Sequence, residues 1–301
     1  MKVFVTGGSG FVGRQVVRRL AAEGYRPVCL VRPGSENRLP AVQGLHVRIG
    51  DVTDSASLVG ALEGCEAVIH LVGIIREFPA RRITFERLHL QATVNLLAAA
   101  EAQGLGRFLH MSANGAVADS ATAYYRSKWQ AEQQVCGSSL RWTLFRPSII
   151  FGREDRFCSL LSKQIRLLPL VPVIGDGCYQ LAPVAVEDVA AGFVAALRRP
   201  ASEGRCYTVC GRQGMHYTAL LDRLGEVLGV ARVRKLFLPL PLLKPLVACL
   251  QNRPWFPLTP DLLTMLVAGN TGDPLPWLRD LDLHPADFSA ALRRHFQNVT
   301  A

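Results

Sequence analysis

The sequence lacks an uninterrupted apolar run long enough to cross a bilayer. Its longest apolar region, residues 236–250, contains Lys244 and three prolines, whereas a membrane-spanning helix needs about 20 apolar residues. It also lacks a run of five or more basic residues and any nucleic-acid-binding motif. We therefore expect neither a transmembrane helix nor a nucleic-acid partner.

Lysine is scarce, since only five of the 34 basic residues are lysines and the others are arginines. Against 24 acidic residues the formal net charge is +10. An excess of arginine is compatible with an anionic ligand or a membrane surface. Codon bias in a GC-rich genome would produce the same composition, so the charge does not choose among these explanations.

The cysteines show no metal-binding pattern. Eight are scattered along the chain, and Cys206 and Cys210 have neither a second cysteine pair nor a histidine cluster near them. We predict no metal site. The chain begins directly with a strand-like segment, "MKVFVTG", and no signal peptide is recognisable. We therefore expect a reduced, cytoplasmic setting, with peripheral contact at the inner membrane surface as an alternative.

The first thirty residues predict a strand, a glycine-rich turn, a helix and a second strand. "KVFVTG" is followed by "GGSGFVG", by the amphipathic "RQVVRRLAAEG" and by "RPVCLVR". Gly7, Gly10 and Gly13 are spaced as G-x-x-G-x-x-G within the turn. Glycine lets the backbone approach a pyrophosphate, and the helix N-terminus supplies free N–H groups. This context favours dinucleotide binding over a plain turn.

The residue after the second strand bears on the choice of cofactor. NAD sites usually place an acidic residue there to bind the ribose 2′-hydroxyl. This chain has Arg32 instead and no carboxylate before Glu36, and an arginine would pair with a 2′-phosphate. We predict that NADP(H) is preferred and that NAD(H) is the alternative. Arg32 as an ordinary exposed loop residue remains the competing interpretation.

Strands and helices continue to alternate, which predicts an α/β fold with a doubly wound, Rossmann-type parallel sheet. Further strands are predicted in "LHVRIGDVTD", "EAVIHLVG", "RFLHMS" and "RWTLFRPS", with helices near 54–63, 82–103 and 121–136. We expect residues 1–155, with a returning portion around 178–212, to form the NAD(P)-binding domain. Residues 156–301 would mainly form a smaller C-terminal substrate or interaction lobe.

Five motifs in order resemble an extended-type short-chain dehydrogenase/reductase. They are "TGGSGFVG" (6–13), "GDVTD" (50–54), Y-x-x-x-K (124–128), "RPSIIFG" (146–152) and "VEDVA" (186–190). The resemblance covers about the first 210 residues. "HLVGIIRE", "RFLHMSANGA" and "LRWTLFRPSIIFG" are most similar to the atypical branch. That branch includes proteins like the NADPH-binding accessory subunit of respiratory complex I.

The resemblance implies a set of cofactor contacts. Gly7, Gly10 and Gly13 would hold the pyrophosphate, with Arg32 at the adenosine ribose and Asp51 and Val52 at the adenine. Thr6, Phe11 and Val12 would be further cofactor contacts. Leu71, Val72 and Gly73 would line the cofactor, and Tyr124, Lys128, Pro147, Ser148 and Ile149 would surround the nicotinamide.

Tyr124 and Lys128 are candidates for acid–base chemistry. On a helix they lie one turn apart on the same face, and an ammonium near a phenol lowers its pKa. We therefore expect Lys128 to lower the pKa of Tyr124. In isolation a chance pair on a surface helix would be the better interpretation, and the preceding motifs favour the functional one. Tyr124 is chosen over Tyr125 because only Tyr124 has Lys128 one turn on.

The third catalytic group implied by the resemblance is a hydroxyl after the fifth strand, which would orient the substrate oxygen. The segment reads "FLHMSANGA". Ser112 is the candidate, but the register of the strand places Ala113 at the usual position. Asn114 could donate a hydrogen bond instead. This departure from the pattern leaves dehydrogenase activity open.

Three functions remain open from the sequence. The first is an NADP(H)-dependent oxidoreductase acting on a lipophilic carbonyl or quinone-like substrate. The second is a nucleotide-binding structural, assembly or redox-sensing protein associated with the respiratory chain. The third is a nucleotide-sugar epimerase or dehydratase. The C-terminal third is apolar with flanking basic residues and the aromatics Trp255 and Phe256, which fits a lipophilic ligand, a membrane interface or an inward-facing core.

Overall fold

A seven-stranded parallel sheet forms the centre of the computed structural model, which describes residues 1–251, 253 and 256–297. In chain order the strands are β1 (Lys2–Thr6), β2 (Arg26–Val31), β3 (His46–Ile49), β4 (Ala67–His70), β5 (Arg107–Met111), β6 (Arg141–Pro147), β7 (Ile150–Phe151), β8 (Val171–Ile174), β9 (Gln180–Leu181), β10 (Val184–Ala185), β11 (Arg205–Val209), β12 (Met215–His216) and β13 (Lys235–Leu238).

The helices lie between these strands and after them. They are α1 (Phe11–Ala22), α2 (Ala92–Ala102), α3 (Ala123–Cys136), α4 (Phe157–Leu167), α5 (Val186–Ala196), α6 (Tyr217–Val227), α7 (Leu240–Leu250), α8 (Pro260–Val267), α9 (Leu275–Leu281) and α10 (Phe288–Phe296). A π-helical segment, Glu86–Gln91, leads into α2. The chain divides into a first unit (1–147, 186–209 and 275–283) and a second unit formed by the remaining segments.

In the first unit the strand order is β11-β6-β5-β4-β1-β2-β3, and all neighbouring strands are parallel. The chain builds outward in one direction from β1 and then in the other direction from β4. The strand order therefore reverses between β1 and β4, and open α/β sheets bind ligands at the carboxyl edge beside such a reversal. The predicted doubly wound Rossmann sheet is confirmed.

Alternation along the strands divides the core of this unit between the two faces of the sheet. Phe4, Val68 and Phe108 are adjacent in register and fully buried, and they belong to one cluster with Leu96 of α2 and Val135 of α3. Burial of each such side chain stabilises the fold by roughly 1.5–3 kcal/mol.

The predicted helix at 54–63 is wrong. The segment forms a short 3₁₀ turn, Ser55–Leu58, which begins after the capping carboxylate of Asp54. Gly60 and Gly64 then take φ values of 68° and 70°. These left-handed conformations end any helical run.

The second unit contains paired short strands and helices. β7 pairs with β10 and β8 with β13 in parallel, and β9 pairs with β12 in an antiparallel arrangement. Side chains of α4, α6 and α10, such as Leu161, Leu220 and Leu292, form its main apolar core. Trp255, which the sequence placed beside this apolar region, lies outside the described residues.

No helix among the residues that the structure describes is both long enough and apolar enough to cross a membrane. The described residues also contain no cluster of three or more His, Cys, Asp or Glu side chains that could hold a metal ion.

Candidate active site

The glycine loop after β1 is packed too tightly for other residues. Gly7 has a φ of 78°, and a Cβ built on it would lie 2.9 Å from the carbonyl carbon of Leu71. A Cβ on Gly13 would lie 2.1 Å from the carbonyl oxygen of Gly7. The loop therefore turns sharply, approaches the segment after β4 and allows α1 to begin close beneath it.

The N-terminus of α1 fits an anionic ligand. Gly10 is the N-cap residue and makes no side-chain capping bond, and the first turn contains no acidic residue. Phe11, Val12 and Gly13 form this turn, so their N–H groups point out of the helix without a capping side chain. A pyrophosphate supplies the acceptors and the negative charge that such a helix end favours.

The loop after β4 meets the glycine loop on one side and α3 on the other. Leu71 N–H donates to the carbonyl of Thr6 over 3.1 Å. A Cβ on Gly73 would lie 3.0 Å from Nζ of Lys128. The structure therefore brings Gly7, Leu71, Gly73 and Lys128 together at the carboxyl edge of the sheet.

Helix α3 carries the Tyr–Lys pair inward. It begins after Thr122, whose side chain accepts the N–H of Tyr125. Tyr124 and Lys128 lie one turn apart, with 9% and 2% of their surfaces exposed. Lys128 Nζ donates to the carbonyl of Met111 at the end of β5 over 3.0 Å. The pair is thus a buried feature of the fold rather than a chance feature of a surface helix.

Burial shifts both groups toward their neutral forms. It raises the pKa of Tyr124 above the ordinary phenol value, and Tyr125 raises it further. Burial lowers the pKa of Lys128 to about 8, although Glu132 acts in the opposite direction. The expectation that Lys128 lowers the pKa of Tyr124 is wrong for the chain by itself, because desolvation of the phenolate dominates.

The hydroxyl candidate after β5 is buried. Ser112 is 3% exposed, and its Oγ makes no hydrogen bond within the described residues. Its N–H donates to the carbonyl of Phe145. Ala113 is also buried, and Asn114 N–H donates to the carbonyl of Pro147. The catalytic role of Ser112 stays a prediction.

The remaining predicted contacts are distributed around the sheet edge and beyond. Arg32 is exposed immediately after β2. Asp51 accepts hydrogen bonds from the N–H and the hydroxyl of Thr53, and Val52 is buried beside it. Pro147 ends β6 in the first unit.

Ser148 and Ile149 belong to the second unit. There the Ser148 hydroxyl donates to the carbonyl of Ala182. Contact of these two residues with a cofactor stays a prediction.

A row of buried polar residues escaped the sequence reasoning. Thr6, His70 and His110 are partners in register on β1, β4 and β5, and each is at most 1% exposed. They continue the apolar row of Phe4 and its neighbours toward the carboxyl edge. The sequence did contain a signal for this row. Each of the three strands has a polar residue near its carboxyl end, at a position where the alternation predicts a buried side chain.

The buried Glu132 carboxylate was missed as well. It lies one turn after Lys128 on α3 and pairs through both oxygens with Arg146 of β6, over 2.8 and 2.5 Å. Glu132 is 1% exposed. This bidentate ion pair fixes α3 against the sheet. A glutamate one turn after the lysine, within an otherwise buried helix face, was the sequence signal.

Comparison with known proteins identifies the family. Residues 3–210 match the NAD dependent epimerase/dehydratase family. The alpha subcomplex subunit 9 of mitochondrial NADH dehydrogenase from Arabidopsis thaliana is 33% identical over 69% of this chain, which spans 53% of the length of that relative. A ceramide reductase from Caulobacter vibrioides is 31% identical over 79% of this chain and 74% of its own.

The fold agrees with solved structures. A UDP-glucose 4-epimerase from Thermotoga maritima, solved with UDP-glucose, superposes with a TM-score of 0.77 at 19% identity and covers 99% of both chains. At that identity the likeness concerns the fold alone. Together with the sheet and the glycine loop, the family match shows that the chain is an NAD(P)-binding member of the NAD dependent epimerase/dehydratase family, the extended short-chain dehydrogenases/reductases.

Proposed function

We propose that this chain is an NADP(H)-dependent oxidoreductase that acts on a lipophilic carbonyl or quinone-like substrate. The observation that carries the proposal is the position of Tyr124 and Lys128. Both are buried on one face of α3, and Lys128 Nζ contacts the end of β5 and the loop at Gly73. That loop also touches the glycine loop, so the proton-transfer groups lie beside the cofactor-binding elements.

When bound, the nicotinamide supplies the hydride that a carbonyl carbon accepts. Tyr124 then donates its phenolic proton to the carbonyl oxygen, so that the substrate gains one hydride and one proton. With its pKa raised by burial, Tyr124 is protonated at neutral pH, which is the form that a proton donor for reduction requires. Lys128 is largely charged at pH 7 and lies one turn from Tyr124 on the same helix.

A lipophilic substrate is supported by the second unit and by a relative. Leu242, Leu246 and Phe237 are 71%, 49% and 50% exposed there, so apolar surface is available to lipid-like molecules. The Caulobacter relative is named a ceramide reductase. For this chain we propose the broader class, a carbonyl or quinone group on a long apolar molecule.

A substrate comparison tests the oxidoreductase proposal. NADPH oxidation would be measured with a long-chain ketone, a short-chain ubiquinone analogue and a UDP-sugar, and the Tyr124→Phe variant would be compared with Tyr125→Phe. We expect turnover with one of the first two substrates and a loss of about 100-fold or more in Tyr124→Phe only. Conversion of the UDP-sugar alone would favour the epimerase alternative.

The competing function is a nucleotide-binding structural, assembly or redox-sensing protein of the respiratory chain. Ala113 favours it, because at the position where the family resemblance expects a catalytic hydroxyl this chain has a buried methyl group. Relatives named as subunits of mitochondrial NADH dehydrogenase agree with it. Tight binding of NADPH, with no NADPH oxidation in the presence of any of the three substrates, would identify this function.

A peripheral membrane contact is a second candidate property, favoured by the surface around β13 and α7. Helix α7, all of whose residues are described, buries only Val247. Arg232, Arg234 and Lys244 are exposed around its leucines. Exposed apolar side chains flanked by basic ones fit an anionic lipid surface, and vesicle binding tests this.

A further inference from the structure

Buried hydrogen bonds form a continuous chain from the end of β1 to the segment before α2. Thr6 Oγ1 lies 2.6 Å from Nδ1 of His70, and Nε2 of His70 lies 3.2 Å from Oγ1 of Thr93. Thr93 Oγ1 donates to the carbonyl of His89 over 2.5 Å. Because the Thr93 proton is used there, Nε2 of His70 must donate and Nδ1 must accept from Thr6.

His89 is the point where this chain meets the cofactor loop and α3. Its Nε2 accepts the N–H of Ile74 over 3.1 Å, directly after Gly73. Its Nδ1 lies 2.8 Å from Oγ of Ser127, which donates to the carbonyl of Tyr124 over 2.7 Å. An amide can only donate, so Nε2 is unprotonated and the Nδ1–H donates to Ser127.

The surroundings of His89 keep the ring fixed and neutral. The ring stacks on Phe85 and meets Tyr124 edge-on, with centroid distances of 5.2 and 5.5 Å. Its Nε2 faces the same Gly73 position as the Lys128 ammonium. Burial and the charge of Lys128 hold the pKa of His89 at about 2. The ring therefore keeps its acceptor for Ile74 at any physiological pH.

We propose that His89 is a positioning residue for the dinucleotide site. Its Nε2 holds the loop at 71–74 by accepting the N–H of Ile74, and its Nδ1–H bond to Ser127 of α3 orients the ring for that contact. This inference rests on the proposed function, since it assigns that loop to the dinucleotide. Both ring nitrogens of His89 are paired, and their partners lie on two different elements, the loop at Ile74 and helix α3 at Ser127.

Two amide side chains separate the two hydrogen bonds. Glutamine places a polar atom near the position of Nε2, so His89→Gln keeps an acceptor for Ile74. Asparagine reaches only the position of Nδ1, so His89→Asn keeps the contact with Ser127. His89→Phe keeps an aromatic ring and removes both bonds. Thr143→Val is the matched control, because Thr143 is a fully buried hydroxyl bonded to Arg107 in another part of the first unit.

Three measurements on the full chain test the proposal: the Kd for NADPH by fluorescence titration, amide hydrogen exchange at Ile74 by NMR, and Tm. We expect His89→Asn and His89→Phe to weaken NADPH binding about fivefold to tenfold and to accelerate exchange at Ile74, the effect of one lost buried hydrogen bond. His89→Gln and Thr143→Val should remain within about twofold of the parent.

Two outcomes would overturn the positioning role while leaving the proposed function intact. One is unchanged NADPH affinity in both His89→Asn and His89→Phe. The other is loss of affinity in all four variants in proportion to Tm, which would indicate a purely structural histidine. If His89→Phe does not fold, the NADPH affinities of His89→Gln and His89→Asn still test the positioning role, because only the second variant should bind NADPH more weakly. A parent chain that binds neither NADPH nor NADH would overturn the proposed function, and the positioning role with it.

Discussion

At the residue scale, burial governs the chemistry of the Tyr124–Lys128 pair. Spacing places both residues on one face of α3, but spacing does not reveal that the face is buried. Desolvation disfavours phenolate and ammonium alike, so the pKa of Tyr124 rises and the pKa of Lys128 falls. The result is a phenol kept protonated beside a lysine that titrates near physiological pH.

Replacement of Lys128 by methionine should stabilise the protein at neutral pH. The pKa of Lys128 falls from 10.5 to about 8 on folding. Below pH 8 the fold therefore carries a buried charge that costs on the order of 3 kcal/mol. This cost disappears as the pH rises from 8 to 10.5, so the parent gains stability across that window and Lys128→Met does not.

The measurement is Tm at pH 6.5 and pH 10 for both proteins. The advantage of Lys128→Met should be largest at pH 6.5 and should shrink or reverse at pH 10, where loss of the hydrogen bond to Met111 remains. An advantage that is the same at both values would contradict a depressed lysine pKa.

Arg32 should decide the preference between the two nicotinamide cofactors. It is exposed directly after β2, where a 2′-phosphate would be placed in this type of sheet. A charge-assisted hydrogen bond contributes about 1.5–3 kcal/mol. We expect Arg32→Ala to raise the Kd for NADPH about tenfold or more and to leave the Kd for NADH unchanged. Equal affinities for both cofactors in the parent would contradict this assignment.

At the scale of elements, buried polar side chains form hydrogen bonds between strands and helices that are far apart in the sequence. Glu132 and Arg146 fasten α3 to β6. Arg107 fastens β5 to several elements, because its guanidinium donates to the carbonyls of Arg141 and Ala196 and to the hydroxyls of Thr143 and Ser202. Since no carboxylate is among these acceptors, its stabilising effect comes from satisfied carbonyl and hydroxyl groups.

Replacement of Arg107 by methionine should therefore destabilise the first unit strongly. Arg107 is 5% exposed, and its loss removes four hydrogen bonds from a charged donor, a type of bond that contributes about 1.5–3 kcal/mol. We expect a loss of roughly 3 kcal/mol or more in the free energy of unfolding, measured by urea denaturation. Arg141→Met is the control, because that side chain is 62% exposed and its ion pair with Glu203 is a surface one; it should cost about 1 kcal/mol or less. Equal losses would refute the role of Arg107.

At the scale of the whole molecule, chain order does not follow the division into units. The first unit recruits α5, β11 and α9 from after residue 185. We still propose that residues 1–155 with the returning portion at 178–212 act as the NAD(P)-binding domain and that most of 156–301 forms a substrate or interaction lobe. The structure places residues 275–283 in the first unit, although they lie near the end of the chain, in the part that the sequence assigned mainly to the C-terminal lobe.

The apolar surface of the second unit predicts vesicle binding by the whole protein. We expect co-sedimentation with vesicles containing anionic phosphatidylglycerol and little with pure phosphatidylcholine, because basic residues flank the exposed leucines. The double variant Leu242→Glu, Leu246→Glu should lose about tenfold or more of this binding. Val59→Glu, at a position in the first unit that is 84% exposed, should not change it. Equal binding by all three proteins, or none by the parent, would remove the membrane proposal.

The sequence by itself determined the features that depend on neighbouring residues. The spacing of Gly7, Gly10 and Gly13 predicts a glycine turn between a strand and a helix, and the alternation of short apolar runs with amphipathic segments predicts the parallel sheet. Spacing also sufficed to place Tyr124 and Lys128 on one helix face. These are local properties, and local propensity with hydrophobic periodicity encodes them directly.

Only the tertiary structure decided the features that depend on distant residues. Register between strands places Thr6, His70 and His110 in one row, and chain packing brings His89 to Ile74 and Ser127. The direction of the Tyr124 pKa shift follows from burial, which no spacing reveals. Desolvation and hydrogen-bond pairing act through space, so they became visible only when segments far apart in the chain were packed together.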